Sequence, residues 1–268
     1  MNVCISRLPE HESIVKPGSH CMACGHAIRW YDNLPVISWI VLRARCRDCK
    51  AKISWRYPAV ELAVGVWFAR AGSQLWGYWN IGTISSGDIN PSFSMSLSYS
   101  AQVIGFAILG FLLIGLMVMD WQTQRLPDAF TLTGIGIGLV LTCVRAFFLA
   151  PGESTRAFIL WRVIAIAGAA LILLAVRWGY KALRKRDGMG LGDVKLLAMI
   201  AAFLGFGQAL LALFAGVILA SVYGLALVAR RRASGASKLP LGSFLAAGGL
   251  LAALFGPRIL AWYMELLR

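Results

Sequence analysis

Charged residues are scarce in this sequence, and that scarcity excludes an ordinary soluble globular domain. Of its 268 residues, 14% are charged and 59% are hydrophobic, whereas soluble domains are about one quarter charged. Residues 1–20 lack the apolar core of a secretory signal peptide, and no internal repeat is evident. Since about 20 apolar residues cross a bilayer core, the composition predicts a polytopic protein embedded in a lipid bilayer.

The apolar runs predict an all-α polytopic membrane protein with about seven transmembrane helices. Candidate spans lie at 58–79, 99–119, 129–150, 157–178, 194–206, 208–229 and 241–263. The first is interrupted by charges at Glu61 and Arg70, and the fifth is short. These runs divide the chain into a small cytoplasmic domain at 1–57 and a transmembrane domain at 58–268.

Acidic residues are scarcer than basic ones, which leaves the chain strongly basic. There are 12 Asp and Glu against 26 Lys and Arg, for a net charge of +14. If the N-terminus is cytoplasmic and every span crosses once, 20 of the 26 basic residues fall on the cytoplasmic side. They lie at 1–57, 120–128, 177–195 and 230–240. This positive-inside bias accounts for the charge, so we expect no nucleic-acid partner.

Four of the six cysteines form two CxxC pairs inside the polar region 1–57. Two such pairs at this separation are typical of a zinc ribbon, in which each pair supplies two thiolates to a tetrahedral metal. A cytoplasmic domain is in a reducing compartment, which argues against two structural disulfides. The sequence therefore predicts structural Zn²⁺ held by Cys21, Cys24, Cys46 and Cys49. A redox dithiol and unligated cysteines are the alternatives.

The segment between the cysteine pairs, residues 29–43, is rich in aromatic side chains. They either form the apolar core of the small domain or lie at the membrane interface, where Trp and Tyr accumulate. The sequence leaves both open. Asp32 is interpreted as a turn residue and not as a catalytic one. His20 and His26 are interpreted as exposed, because four thiolates already complete a structural zinc site.

Two aspartates stand at the ends of apolar runs. Asp120 ends the run 106–119, and Asp193 precedes the run from 194. An acidic side chain at membrane depth is a functional candidate, and the topology above places both on the cytoplasmic side. Two neighbouring carboxylates that share one proton can activate a water and protonate a leaving group. Carboxylates on transmembrane helices also serve transport, so a two-aspartate hydrolase and a carboxylate-dependent ion or proton transporter both stay open.

Three glycines, Gly188, Gly190 and Gly192, lead into Asp193. Because glycine permits irregular backbone and close approach, we expect an extended peptide to dock here through main-chain hydrogen bonds. The chain has no Gly-Lys-Ser/Thr sequence, which argues against a phosphate loop. Asp128, just before the next apolar run, is interpreted as a helix N-cap and not as a catalytic residue.

Five blocks, in order along nearly the whole chain, resemble those of the type IV prepilin peptidases, which are membrane aspartyl proteases of the GxGD type. The blocks are Asn2–Pro9, the two CxxC pairs enclosing Trp30–Trp39, Arg56–Leu62, Asp120–Asp128 and Gly188–Leu197. Two departures accompany them. The family's usual first transmembrane helix has no counterpart before Asn2 in this sequence, and Pro240–Ser243 stands where the family commonly has Pro-Phe-Gly-Pro.

The resemblance implies that Asp120 and Asp193 are catalytic and that the four paired cysteines bind zinc. It also implies an enzyme of the bacterial inner membrane that removes a short basic leader from prepilin or pseudopilin precursors, cutting after a glycine at the cytoplasmic face. Many family members then methylate the new N-terminus with S-adenosylmethionine, and the resemblance implies that residues 1–57 are the methylation region. No motif in the sequence indicates a site for that cofactor, so a monofunctional peptidase stays an alternative. A docking protein with an inactive aspartate pair is a third hypothesis.

Overall fold

The computed structural model describes residues 2–7, 13, 15–16, 18–84, 93–149, 153–185, 189–231 and 239–267, and no side chains at 81–84, 149 and 153. Within these residues, the regular structure is helical apart from two isolated β-bridges. The helices are α1 Asn2–Arg7, α2 Ile37–Val41, α3 Arg56–Ile84, α4 Phe93–Thr123, α5 Asp128–Leu149, α6 Glu153–Arg184, α7 Leu191–Leu204, α8 Phe206–Ala229 and α9 Leu241–Leu266. The chain forms two compact units, Met1–Arg70 and Ala71–Arg268, with the division inside α3.

Two turns of the same construction hold the cysteines of the first unit. In one, the Gly25 N–H donates to the Cys21 carbonyl over 2.8 Å, and in the other the Lys50 N–H donates to the Cys46 carbonyl over 3.2 Å. Gly25 and Lys50 occupy equivalent positions and both have positive φ, of 69° and 58°. Each cysteine pair is therefore followed by a sharp turn, which Gly25 adopts without a Cβ and Lys50 adopts even though it has one.

The aromatic segment of the first unit lies mostly on its surface. A short 3-10 helix at Trp30–Asn33 and α2 form it, and the only buried residue of α2 is Ser38. Trp30 is 81% exposed and Ile40 is 62% exposed. Of the two interpretations left open by the sequence, this exposure favours the membrane interface over an apolar core.

The second unit is a helical bundle built around α7. This helix contacts α4, α5, α6, α8 and α9, and its residues from Leu196 to Ala202 are at most 5% exposed. Its 14 residues rise about 21 Å, which is less than the bilayer core of about 30 Å. A helix this short is stable at membrane depth because protein and not lipid surrounds it.

Every one of the seven predicted spans falls on a helix, and five of those helices have the length and hydropathy to cross a membrane. These five are α4, α5, α6, α8 and α9. Helix α3 carries the two charges noted in the sequence, and α7 is too short. The described residues therefore show the all-helical class and five candidate spans, while crossings by α3 and α7 stay predictions.

The C-terminal end of α7 is closed by a glycine and an arginine. Gly205 adopts φ of 89° and separates α7 from α8. The last carbonyls of a helix lack intrahelical donors and carry partial negative charge. The Ala201 carbonyl accepts from the Gly205 N–H over 2.9 Å, and Arg162 of α6 adds a second donor, because its Nη1 donates to the same carbonyl over 3.3 Å. This contact explains a half-buried arginine inside an apolar helix without invoking catalysis.

Small residues between 239 and 249 let α9 approach α8 closely. A Cβ on Gly248 would clash with the backbone carbonyl of Ala212 and approach the Gly216 nitrogen at 2.8 Å. Such contact fixes the position of α9 along α8. The same contact therefore also determines where the first turn of α9 lies at the candidate site.

Candidate active site

Asp120 and Asp193 lie at neighbouring helix ends of the bundle. Asp120 belongs to the last turn of α4, and Asp193 to the first turn of α7. Their exposed fractions are 5% and 8%, so both carboxyl groups are removed from bulk solvent. They also lie close enough to interact electrostatically. The structure therefore brings together the two residues that the sequence singled out, whose catalytic role stays a prediction.

Asp120 is held by Ser243, a residue that the sequence analysis did not identify. The Ser243 backbone N–H donates to Asp120 Oδ2 over 2.6 Å, and Ser243 Oγ lies 3.0 Å from the same oxygen. Ser243 Oγ also lies 2.9 Å from the Met117 carbonyl. A hydroxyl has one hydrogen, so it donates either to the carboxylate or to the carbonyl. Ser243 thus supports the ionised form of Asp120 and has another acceptor when that carboxyl is protonated.

Two glycines, Gly242 of α9 and Gly192 of α7, pack closely against Leu126 beside the aspartates. A Cβ on Gly242 would lie 2.9 Å from Asp120 Cγ and 2.9 Å from Leu126 Cδ1. A Cβ on Gly192 would lie 3.0 Å from Leu126 Cβ. Distances of this size are shorter than ordinary van der Waals contacts. Glycine at both positions lets α4, α7 and α9 meet around Leu126.

The start of α7 orients Asp193. Gly190 is the N-cap, with extended backbone at φ −74° and ψ 152°, and its backbone N–H interacts with the Asp193 carboxyl. An acidic side chain three residues into a helix that reaches back to the N-cap N–H is one half of a capping box. Arg177 of α6 fixes the backbone just before this helix, since its Nη1 donates to the Met189 carbonyl over 2.8 Å. Gly188, the first predicted substrate-binding glycine, lies outside the described residues.

Three aromatic rings cluster beside the site. The ring centroids of Trp121 and Tyr223 are 5.5 Å apart, those of Tyr223 and Phe244 are 5.3 Å apart, and those of Trp121 and Phe244 are 6.1 Å apart. Trp121 follows Asp120 in the chain, and Phe244 follows Ser243. The cluster therefore packs α4, α8 and α9 together next to the hydrogen bond between Asp120 and Ser243. Trp121 remains 48% exposed.

Asp128 makes different contacts from those of Asp120 and Asp193. It is the first residue of α5, in the position expected of a helix-start residue. Its Oδ1 accepts from Lys195 Nζ over 2.6 Å, and its side chain is 59% exposed. An exposed ion pair of this kind contributes about 0–1 kcal/mol. Asp128 therefore serves as a matched reference for the two buried aspartates.

The four paired cysteines of the first unit converge on one point. Their Sγ atoms all lie within 4.8 Å of one another, and the Sγ atoms of Cys21 and Cys49 are 3.8 Å apart. A tetrahedron with Zn–S bonds of about 2.3 Å has edges of about 3.8 Å. All four thiols are free. The donor set and its spacing fit a structural zinc ion, and neither His20 nor His26 belongs to the cluster.

The thiols of Cys21 and Cys24 have pKa values shifted in opposite directions, and a bound cation would favour the thiolate form of both. Backbone hydrogen bonds from Ala23 and Cys24 lower the pKa of Cys21 to about 6. The backbone N–H of His26 favours the Cys24 thiolate, but desolvation and the sulfurs of Cys49 and Cys21 raise the pKa of Cys24 to about 11. A bound divalent cation removes this conflict, because metal binding deprotonates each ligand thiol.

Asp32 joins the aromatic segment to the second cysteine pair. Arg47 donates from Nε to Oδ2 over 2.7 Å and from Nη2 to Oδ1 over 2.6 Å. These hydrogen bonds hold the pKa of Asp32 below its usual range. Paired in this bidentate geometry, Asp32 has a structural explanation, and the preference for a non-catalytic role agrees with it.

Comparison with known proteins relates both parts of the chain to one group. Residues 1–75 match the family described as "Bacterial Peptidase A24 N-terminal domain", and residues 106–225 match the family described as "Type IV leader peptidase family". A prepilin leader peptidase/N-methyltransferase of Stutzerimonas stutzeri is 33% identical, over 94% of this chain and 76% of its own length. Another of the same name, from Burkholderia pseudomallei (strain 1026b), is 35% identical, over 93% of this chain and 71% of its own length. No solved structure matches the chain significantly.

Proposed function

Because the chain belongs to the type IV leader peptidase family, we propose that it is a membrane aspartyl endopeptidase acting on prepilin or pseudopilin precursors. It removes their short basic leader by cutting after a glycine. The supporting observation is the meeting of Asp120 and Asp193, from distant parts of the sequence, in one buried site within the family-matched region. The transporter and inactive-docking alternatives explain less, since the similar proteins are named as enzymes.

The two aspartates supply a base and an acid. Two carboxylates about 4 Å apart repel by roughly 4 kcal/mol at an effective dielectric near 20, and desolvation adds to this cost. The pair therefore holds one proton between its members. The ionised member takes a proton from the attacking water, and the protonated member donates one to the leaving amine. Ser243 favours Asp120 as the ionised member, because its backbone N–H donates to Oδ2 and its hydroxyl can donate to the same oxygen.

The substrate approaches along the extended backbone before α7. Gly190 is exposed and carries no side chain, so a peptide strand can reach its main-chain groups. The precursor's apolar helix would lie in the bilayer, and its leader would emerge beside the two aspartates. We infer that this end of the bundle faces the cytoplasm, since basic residues concentrate on the same side. With the N-terminus also in the cytoplasm, the chain would cross the bacterial inner membrane seven times.

The first unit carries the proposed zinc site and the second activity. Cys21, Cys24, Cys46 and Cys49 would hold Zn²⁺, which stabilises a domain too small for a large core. Similar proteins carry N-methyltransferase in their names, so we propose that the cleaved N-terminal amine is methylated with S-adenosylmethionine. That cofactor supplies a transferable methyl group. The monofunctional alternative predicts cleavage without methylation.

The test is cleavage of a purified precursor by the purified enzyme in detergent micelles, read by mass spectrometry of the new N-terminus. Asp120→Asn and Asp193→Asn should each lower the rate at least about a thousandfold, since loss of either member removes acid–base catalysis. Asp128→Asn is the matched control at the same end of the bundle and should keep the wild-type rate within about twofold. Normal processing by either of the first two variants would refute the assignment. A mass increase of one methyl group reports the second activity in the same spectrum.

A further inference from the structure

The first unit contains a cavity of about 380 Å³ that the zinc site does not account for. Of the four clustered cysteines, Cys21 and Cys46 belong to its lining and Cys24 and Cys49 do not. The cavity continues to Trp39, Tyr57 and Glu61, away from the cysteines in sequence. Its volume is within the range of about 300–1,000 Å³ that small-molecule and cofactor sites occupy.

Glu61 places a carboxylate that is held by neutral donors at the wall of this cavity. Its Oε2 accepts from the Val36 backbone N–H over 3.0 Å, and its Oε1 accepts from Asn2 Nδ2 over 2.9 Å. Neither partner is a cation, and no salt bridge of Glu61 occurs among the residues that the structure describes. The carboxylate is held in one orientation by neutral donors. Its charge is therefore available to a cationic ligand.

Val36, whose N–H donates to Glu61, has a strained backbone conformation at the wall of the cavity. Val36 has φ of 59° and ψ of −47°, a region that β-branched residues rarely adopt. Such strain persists where the surroundings enforce it, often at ligand sites. Here the Glu61 carboxylate secures the Val36 N–H. Glu61 thereby shapes the cavity as well as charging it.

Trp39 provides a flat apolar surface in the same cavity. Its Nε1–H donates to the Ile53 carbonyl over 3.2 Å, which fixes the ring, and the ring lines the cavity. Arg29, also in the lining, carries a positive charge. The cavity thus combines an aromatic face, an unpaired carboxylate and a guanidinium.

We propose that this cavity is the site of the methyl donor, with the adenine base against Trp39, the cationic sulfonium and ammonium groups toward Glu61 and the donor's carboxylate toward Arg29. An adenosyl sulfonium amino acid presents these same features, namely a planar base, a positive centre and a carboxylate. The proposal rests on the methylation proposed above and assigns it a place in the chain. The methyl group would pass from the sulfonium to the deprotonated N-terminal amine, leaving the neutral thioether S-adenosylhomocysteine.

The test measures binding by the full-length protein in detergent micelles. Isothermal titration with S-adenosylmethionine should give one saturable site, weakened about tenfold or more in Glu61→Gln and about threefold or more in Trp39→Phe. Trp55→Phe and Glu265→Gln are matched controls, because neither residue lines the cavity, and they should bind like wild type. Zinc content and precursor cleavage report that each variant is folded.

Wild-type affinity in both Glu61→Gln and Trp39→Phe would overturn the assignment, as would absence of saturable binding by a protein that still cleaves precursor. In the latter case the peptidase proposal stands and only the donor site falls. Ultraviolet cross-linking of methyl-tritiated S-adenosylmethionine to the unmodified protein gives a test that needs no variant. Label in the peptide around Trp39 supports the site, and label confined to residues 93–267 refutes it.

Discussion

Replacement of Ser243 by alanine is the sharpest test of how Asp120 is prepared for catalysis. The substitution removes the hydroxyl that lies 3.0 Å from Asp120 Oδ2 and keeps the backbone N–H that lies 2.6 Å from it. A hydrogen bond to a charged group contributes about 1.5–3 kcal/mol. The hydroxyl has the Met117 carbonyl as its other acceptor, so the lower part of this range applies. A loss of about 1.5 kcal/mol from the ionised form corresponds to slightly more than about tenfold in rate.

The assay is the steady-state cleavage of precursor over a series of concentrations. Ser243→Ala should lower kcat about tenfold and leave KM nearly unchanged, because the hydroxyl contacts the carboxylate and not the expected path of the substrate. Ser243→Thr keeps a hydroxyl and should recover much of the loss. Ser98→Ala, which truncates another buried serine of α4, is the matched control. Equal rates for Ser243→Ala and wild type, or equal losses in Ser98→Ala, would refute the reasoning.

Three further outcomes follow from the contacts described above. Purified protein should carry about one zinc per chain, and Cys21→Ser with Cys24→Ser should remove it, as measured by atomic emission; a folded wild-type protein without metal would contradict this prediction. Gly242→Ala should lower the cleavage rate about tenfold or more, since the new Cβ overpacks the site at a cost of about 1–3 kcal/mol, and an unchanged rate would show that the helices adjust freely. Lys195→Met should change the thermal midpoint and the rate little, because its exposed pair with Asp128 is worth at most about 1 kcal/mol; a large loss would assign that pair a larger role.

Much of the helical architecture could be predicted because its cause is local. Apolar runs long enough to cross a bilayer are visible in the sequence, and the structure has a helix on each of them. The short α7 shows the limit. Its 14 residues do not report whether lipid or protein surrounds them, since that depends on which helices pack around it. The turns at Cys21 and Cys46 were also predictable, because the CxxC spacing itself encodes them.

The candidate site was predictable only in its charged members. Asp120 and Asp193 stand out because acids are rare in apolar segments. Ser243 does not, because serine is common in helices and its role arises from α9 folding back onto α4. Leu126 is likewise ordinary in sequence, and it matters because two glycines leave room for it. The cavity beside Glu61 depends on a strained backbone at Val36, for which composition gives no signal.

The dependence of Asp120 on the first turn of α9 has a consequence for biosynthesis. The nascent chain completes α4 and α7, with both aspartates, well before it reaches Ser243. Until the last helix has inserted and packed against α8, the Asp120 carboxylate lacks both of its donors and α7 lacks one of its walls. The newly made protein should therefore stay catalytically silent through most of its insertion, and a ribosome-stalled chain ending before residue 239 should hold both acids and cleave nothing.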